Sequence, residues 1–241
     1  MEVSFAGSKT KRYHVGPSAV LSVVMWGGSL EPSGAKRRFQ CFGDSYHEVT
    51  VSFRSRLAQC VCDFLDVGKS PRPADCIFVL AGKQERKTYG IKMWRFGYAA
   101  QLILSVARFE WRKFPELNLE SDGGLGALVE QTPPKDRHFL LRLDRQDTIC
   151  TLVKKGFFGT HSEARALSEY LRELSVRSLL VVSSPLHLRR VALVFGRAFR
   201  RDRIQLTFVA VPEKLSFASP SVRAQVWSEL RKYIFYKLFF L

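Results

Sequence analysis

Long apolar runs are missing from this sequence. No stretch of its 241 residues reaches the ~20 consecutive apolar residues that a membrane-spanning helix needs, so none is expected. The nearest candidate, Ala19 to Trp26, follows Lys9, Lys11 and Arg12 and has the outline of a signal peptide. The run is short and no small-x-small cleavage site is clear, so export by this route is not expected. Cysteine is sparse and unpatterned: Cys41, Cys60, Cys62, Cys76 and Cys150 are odd in number and irregular in spacing, which argues against a disulfide framework. Cys60 and Cys62 lack the second pair that a zinc site would need. Cys76 and Cys150 sit among apolar residues and read as small core residues. The histidines, His14, His47, His138, His161 and His187, show no H-E-x-x-H or similar metal spacing. G-x-G-x-x-G, the phosphate-binding P-loop and the G-x-S-x-G nucleophile elbow are absent as well. Acidic residues are few, 22 against 38 basic ones. The net charge is therefore +16, which favours anionic partners: nucleic acid, an acidic membrane surface or phosphorylated ligands.

What is present suits one folded domain with an appendage. Hydrophobic residues make up 46% and charged residues 25%, a globular composition. Residues 1–73 read as an N-terminal extension without a sustained period. Val49 to Phe53 alternates as a short strand would, Leu57 to Leu65 has helical spacing, and Ser70-Pro71-Arg72-Pro73 reads as a linker or turn. The pattern sharpens over residues 74–241. Cys76 to Leu80 is a continuous apolar run of the kind found in buried parallel strands. A polar loop, Lys83 to Lys87, is expected next, then a helix marked by Ile91, Trp94, Arg95 and Tyr98. A second buried strand follows at Leu102 to Val106. Phe139 to Leu143 and Thr148 to Val153 read as further strands. In the last third, helices at Ser162–Leu174, Leu186–Phe199 and Val222–Leu238 alternate with strands at Ser178–Val182 and Ile204–Val211. This alternation predicts an α/β fold: a Rossmann-like three-layer sandwich with a mainly parallel sheet and helices on both faces.

Ligands of such sheets bind beyond the carboxyl ends of the strands. Three segments lie there. In Ser183-Ser184-Pro185-Leu186-His187, Ser184 suits a helix N-cap and Pro185 the first helical position. Helix initiation accounts for those two, and not for His187 or for Arg190 three residues on. Free backbone N–H groups, a hydroxyl and these side chains would together make an anion site. Thr160 and Glu163 have the T-x-x-E spacing of a capping box, at a helix start that could face the same ligand. After Leu80, Gly82 allows a sharp turn, and Arg86 suits either an exposed surface or a bidentate grip on phosphate or carboxylate. Ser184 and His187 lack an evident orienting acid, so a serine-hydrolase reading is weak.

These segments, in this order, resemble the YdcF/SanA/ElyC family of bacterial proteins. The residues that carry the resemblance are Ala74-Asp75-Cys76-Ile77-Phe78-Val79-Leu80-Ala81-Gly82, Arg86, Gly90-Ile91 and Phe96-Gly97-Tyr98-Ala99. Gly159-Thr160, Glu163-Ala164 and Val181-Val182-Ser183-Ser184-Pro185-Leu186-His187-Leu188-Arg189-Arg190 complete the set. It spans roughly Ala74 to Val211. The resemblance implies a Rossmann-like fold, a polar pocket at the sheet's carboxyl edge, and a role in the bacterial envelope or in cell-wall precursor metabolism. It implies Gly82, Arg86, Thr160, Glu163, Ser184, His187 and Arg190 as ligand-binding residues, and leaves reaction and cofactor unassigned. The Ser-Gly that the family carries after its second strand is Ser105-Val106 here, and the family's frequent N-terminal membrane helix is not seen.

The expected partner is therefore a phosphorylated or nucleotide-like small molecule. The alternative is a basic nucleic-acid-binding protein without enzymatic activity, suggested by the charge and by Arg197, Arg200, Arg201 and Arg203, though no recognition motif accompanies them. A third expectation is peripheral membrane contact through the C-terminal helix, where Arg231, Lys232 and Lys237 lie among Tyr233, Ile234, Phe235, Tyr236, Leu238, Phe239, Phe240 and Leu241. A cytoplasmic or peripherally membrane-associated location follows from these expectations.

Overall fold

The computed structural model describes residues 53–153 and 159–239. The strand expected at Val49 to Phe53 and the apolar run at Ala19 to Trp26 lie outside these residues, except for Phe53, which opens a helix. In chain order the elements are α1 (Phe53–Leu65), β1 (Ala74–Val79), α2 (Gln84–Arg95), β2 (Ala99–Ala107) and a 3₁₀ helix (Glu110–Leu117). They continue with α3 (Leu125–Gln131), β3 (His138–Leu143), β4 (Thr148–Leu152), α4 (Gly159–Leu171), β5 (Ser178–Ser183), α5 (Pro185–Ala198), β6 (Gln205–Ala210) and α6 (Pro220–Phe239). No described helix is long and apolar enough to cross a membrane.

The six strands form one sheet in the order β4-β3-β2-β1-β5-β6. β2, β1, β5 and β6 run parallel, while β3 is antiparallel to both of its neighbours. The sheet is thus mixed and mostly parallel. A return from β2 through the 3₁₀ helix and α3 reverses the chain into β3, and a tight turn leads to β4.

β1 explains why its sequence is apolar without a break. Ile77 and Val79 face a cluster with Ile91 and Met93 of α2, Phe114 of the 3₁₀ helix, and Leu125 and Val129 of α3. Cys76, Phe78 and Leu80 face the other way, against Ala164, Leu167 and Leu171 of α4 and Val191, Val194 and Phe195 of α5. Successive side chains are buried on opposite faces, so neither face tolerates a polar residue. Cys76 is buried as expected, whereas Cys150 on the edge strand β4 is only partly so. A third cluster joins Ala58, Cys62 and Leu65 of α1 to Leu186 of α5 and Val226 of α6. The helix near Leu57–Leu65 therefore belongs to the same compact unit as the sheet.

The sequence reading differs from the structure in α2. Lys83 to Lys87 is not a loop: the helix begins at Gln84, and Arg86 and Lys87 in its first turn are buried. The helix also stops earlier, at Arg95, and Tyr98 lies beyond it after Gly97 turns with φ 80°. At Gly90 the helix backbone rides directly on the sheet, and a β-carbon there would overlap Val79 Cγ2. Gly90→Ala is expected to destabilise the protein by about 1–3 kcal/mol, because a packed core has no room to yield. Urea denaturation checks this, and an unchanged midpoint would mean that α2 shifts freely.

Candidate functional site

β1 and β5 are neighbours whose chains leave in opposite directions. β1 leads into α2 on one face of the sheet, and β5 into α5 on the other. Their carboxyl ends therefore part, and the gap is the crevice in which α/β sheets bind ligands.

The end of β1 turns at Gly82, whose φ of 127° is open to glycine and strained for other residues. A β-carbon there would also stand 2.9 Å from Arg86 Nη1. Arg86 folds back from the first turn of α2 across the gap. It donates through Nη1 to the Ala81 carbonyl at 2.8 Å and through Nη2 to Ser184 Oγ at 2.6 Å. Ser184 holds the N-cap position of α5 with extended backbone, and Pro185 is the first helical residue. The Ser184 hydroxyl makes no capping bond and accepts from Arg86. Pro185 has no N–H and that of His187 goes to the Ser184 carbonyl at 3.0 Å. Positive character here comes from guanidinium groups more than from free amides of the helix start.

His187 and Arg190 extend the network into α4. His187 Nδ1 lies 3.0 Å from Ser183 Oγ, and Nε2 lies 3.4 Å from Thr160 Oγ1. Arg190 donates to Thr160 Oγ1 at 2.7 Å and to Glu229 Oε2 at 2.9 Å, and packs over the Tyr236 ring. Glu163 Oε1 accepts from the Ala81 N–H at 2.9 Å and from Ser105 Oγ at 2.6 Å. The expected capping box is therefore corrected. Thr160 and Glu163 both lie inside α4, and their side chains serve Arg190 and the β1 turn, not the helix start.

Arg86, Ser184, His187 and Arg190 line a cavity of about 150 Å³, together with Lys83, Glu213 and Glu229. Thr160 and Glu163 hold this wall from behind, and Gly82 shapes its β1 side. The structure thus brings the seven expected residues to one place. Larger hollows lie elsewhere, about 320 Å³ between α4 and α5 and about 300 Å³ beside the 3₁₀ helix and α3. Neither is lined by any of the seven.

Several residues of this region were not expected. Glu110 accepts the Gly82 N–H at 2.6 Å and pairs with Lys87, which is almost fully buried. Ser105 bridges Glu163 and His138, with its Oγ 2.9 Å from His138 Nε2. The serine stands between acid and imidazole. A nucleophile relay needs the imidazole in the middle, so this trio is not one. No sequence pattern announces Glu110, Lys87 or His138, since each becomes a neighbour only through the fold. Ser105 alone was visible, as the serine closing the second strand. Among the described residues no cluster of His, Cys, Asp and Glu could hold a metal ion.

The charges are unevenly matched. Arg190 is paired with Glu229, and Lys83 with Glu213. Burial pushes the Glu229 carboxyl up, but Arg190 and Lys232 outweigh it and hold the carboxyl below its usual range. Arg86 is only 9% exposed, and among the described residues it pairs with no carboxylate. Among the described residues its buried Nε has no hydrogen-bond partner, and neither does that of Arg190. Burial lowers the pKa of Arg86, an effect opposed by the more distant charges of Glu163, Glu110, Glu229 and Glu213.

His187 is held neutral. Burial first, then the charges of Arg190, Arg86 and Lys232, keep its pKa well below 6.5. The unfolded chain takes up a proton near pH 6.5 that the folded site refuses, so stability falls as pH drops from 6.5 towards the folded value. The slope for one such group is at most about 1.4 kcal/mol per pH unit. His187→Gln is expected to remove this component, so that variant and wild type diverge less in unfolding free energy at low pH than at neutrality. Urea melts on both sides of pH 6.5 measure it, and a constant difference between the two proteins would mean that the ring titrates normally.

Comparison of the chain with protein-family models, curated proteins and solved structures finds no match. The site therefore rests on its own geometry.

Proposed function

We propose that this chain is a Rossmann-like, three-layer α/β domain that binds the phosphoryl group of a small molecule in the crevice between β1 and β5. The observation that carries this reading is Arg86, a buried guanidinium in a cavity wall with an unpartnered Nε and no carboxylate paired to it among the described residues. Buried charges are ordinarily paired, and a bound oxyanion would supply the missing partner. Arg190 and Ser184 add donors within the same cavity. At about 150 Å³ it falls short of the ~300–1,000 Å³ typical of a pocket enclosing a whole ligand. It therefore takes the anionic group and leaves the rest of the molecule outside. The ordered motifs shared with the YdcF/SanA/ElyC family support placing that ligand in envelope metabolism. Titration calorimetry of the full chain with inorganic phosphate and with pyrophosphate tests the reading. Saturable heat with either is expected, and no heat with both would overturn it.

A second property concerns α6. Its apolar residues are spread around the whole helix, and only Val226 and Tyr236 are buried. Leu238 and Phe239 are more than 70% exposed, Ile234 is also exposed, and beyond Glu229 the described helix carries Arg231, Lys232 and Lys237 and no acidic residue. Exposed apolar side chains beside these bases, of which Lys232 also pairs with Glu229, match an anionic bilayer surface. The protein is expected to sediment with phosphatidylserine vesicles, and Leu238→Glu/Phe239→Glu to remain in the supernatant. A wild type that ignores the vesicles would end this proposal.

A further inference from the structure

Among the described residues that line the cavity, the charges cancel in pairs except for one. Lys83 pairs with Glu213, and Arg190 with Glu229, so Arg86 is the single surplus charge of the lining. The cavity also presents hydrogen-bond acceptors. Both carboxylates line it, and in the tautomer whose Nδ1–H donates to Ser183, His187 Nε2 is an acceptor with only the long 3.4 Å contact to Thr160. The Thr160 hydroxyl oxygen already accepts from Arg190, which can only donate. A site built solely to hold negative charge would carry donors alone.

We infer that the site selects an oxyanion that is singly charged and still bears a proton, namely dihydrogen phosphate or the monoanion of a phosphomonoester, over fully ionised sulfate. The inference rests on the phosphoryl-binding reading above. A single negative charge neutralises Arg86, whereas a second would face Glu213 and Glu229 with only the solvent-exposed Lys232, outside the lining, to offset it. A protonated phosphoryl group offers an O–H to one of the acceptors on the wall. Sulfate has the same tetrahedral shape and size but no hydrogen, so each acceptor that it meets is left unpaired. An acceptor facing an acceptor in a partly dry site penalises the wrong ligand strongly.

The test uses the full chain and two probes, inorganic phosphate and sulfate, titrated calorimetrically at equal ionic strength and slightly acidic pH. Phosphate is expected to bind at least about tenfold more tightly than sulfate. Glu213→Gln, at the exposed rim, removes one negative charge, and is expected to raise sulfate affinity several-fold and narrow the ratio. Sulfate binding as tightly as phosphate to the wild type would overturn the inference and leave a site that reads charge alone. An unchanged ratio in Glu213→Gln would likewise overturn it, because the rim carboxylate would then play no part in the choice. Binding of neither anion would instead mark failure of the phosphoryl-site reading itself.

Discussion

Arg86→Met is expected to weaken phosphate binding by about two to three orders of magnitude while moving the unfolding free energy by no more than ~1 kcal/mol. The two halves of this expectation have different causes. In the bound state Arg86 supplies the surplus charge, and loss of such a desolvated contact costs roughly 2–5 kcal/mol. In the empty state the same guanidinium is buried with no carboxylate paired to it among the described residues, so its removal also relieves a desolvation cost. That relief offsets the loss of two hydrogen bonds, to Ala81 and Ser184, worth about 1 kcal/mol each. Arg190 provides the contrast. Arg190→Met takes from Glu229 its buried partner at 2.9 Å, leaves it only the more exposed Lys232, and frees Thr160, and breaking such a pair costs up to about 3–5 kcal/mol. Calorimetry and urea melts on both variants separate the roles. If Arg86→Met unfolded as easily as Arg190→Met, Arg86 would be a strut between two strand ends and not a ligand group.

Legibility in the sequence followed burial. β1 and β5 stand out because both of their faces are covered, leaving unbroken apolar runs from Cys76 and from Leu179. The start of α5 is readable for a local reason, since Pro185 fits a first helical turn whatever surrounds it. The start of α2 is hidden by the opposite circumstance. Gln84, Glu85, Arg86 and Lys87 look like a solvated loop, yet Arg86 and Lys87 point into protein, where Ser184 and Glu110 receive them. Hydrophobic periodicity cannot register an inward face made of charges. The 3₁₀ helix with Pro115 inside it and the seven-residue α3 are too short for any period to emerge.

The site shows a similar division. His187 and Arg190 could be singled out because helix initiation gave no reason for His187. Thr160 and Glu163 have a spacing with a familiar local meaning, but the structure gives them long-range partners. Glu163 contacts Ala81 and Ser105, 82 and 58 residues away in sequence. No local rule contains that information. The antiparallel β3 was equally out of reach: its apolar pattern fixes a strand but not its direction, which depends on the compact return through α3.

Glu163→Ala is expected to cost about 2–4 kcal/mol of stability, and Glu163→Gln far less, with a gain in anion affinity. The carboxylate is 6% exposed, and one of its oxygens accepts both the Ala81 N–H and the Ser105 hydroxyl. Alanine leaves the Ala81 N–H without a partner and Ser105 with His138 alone, at about 1–3 kcal/mol for the group left unsatisfied, and opens a void beside them. Glutamine keeps a carbonyl oxygen that can accept the same two bonds, so the β1 turn retains its support. What glutamine removes is charge. Burial lowers the pKa of Arg86, and among the acids that oppose this, Glu163 contributes most. Without that compensation the guanidinium is more exposed electrostatically, and a phosphate that neutralises it gains. A several-fold tighter phosphate constant in Glu163→Gln, beside a near-native melt, is the expected pair of results. Weaker phosphate binding in a well-folded Glu163→Gln would contradict the argument, because it would mean that Glu163 assists the anion directly instead of competing with it for Arg86.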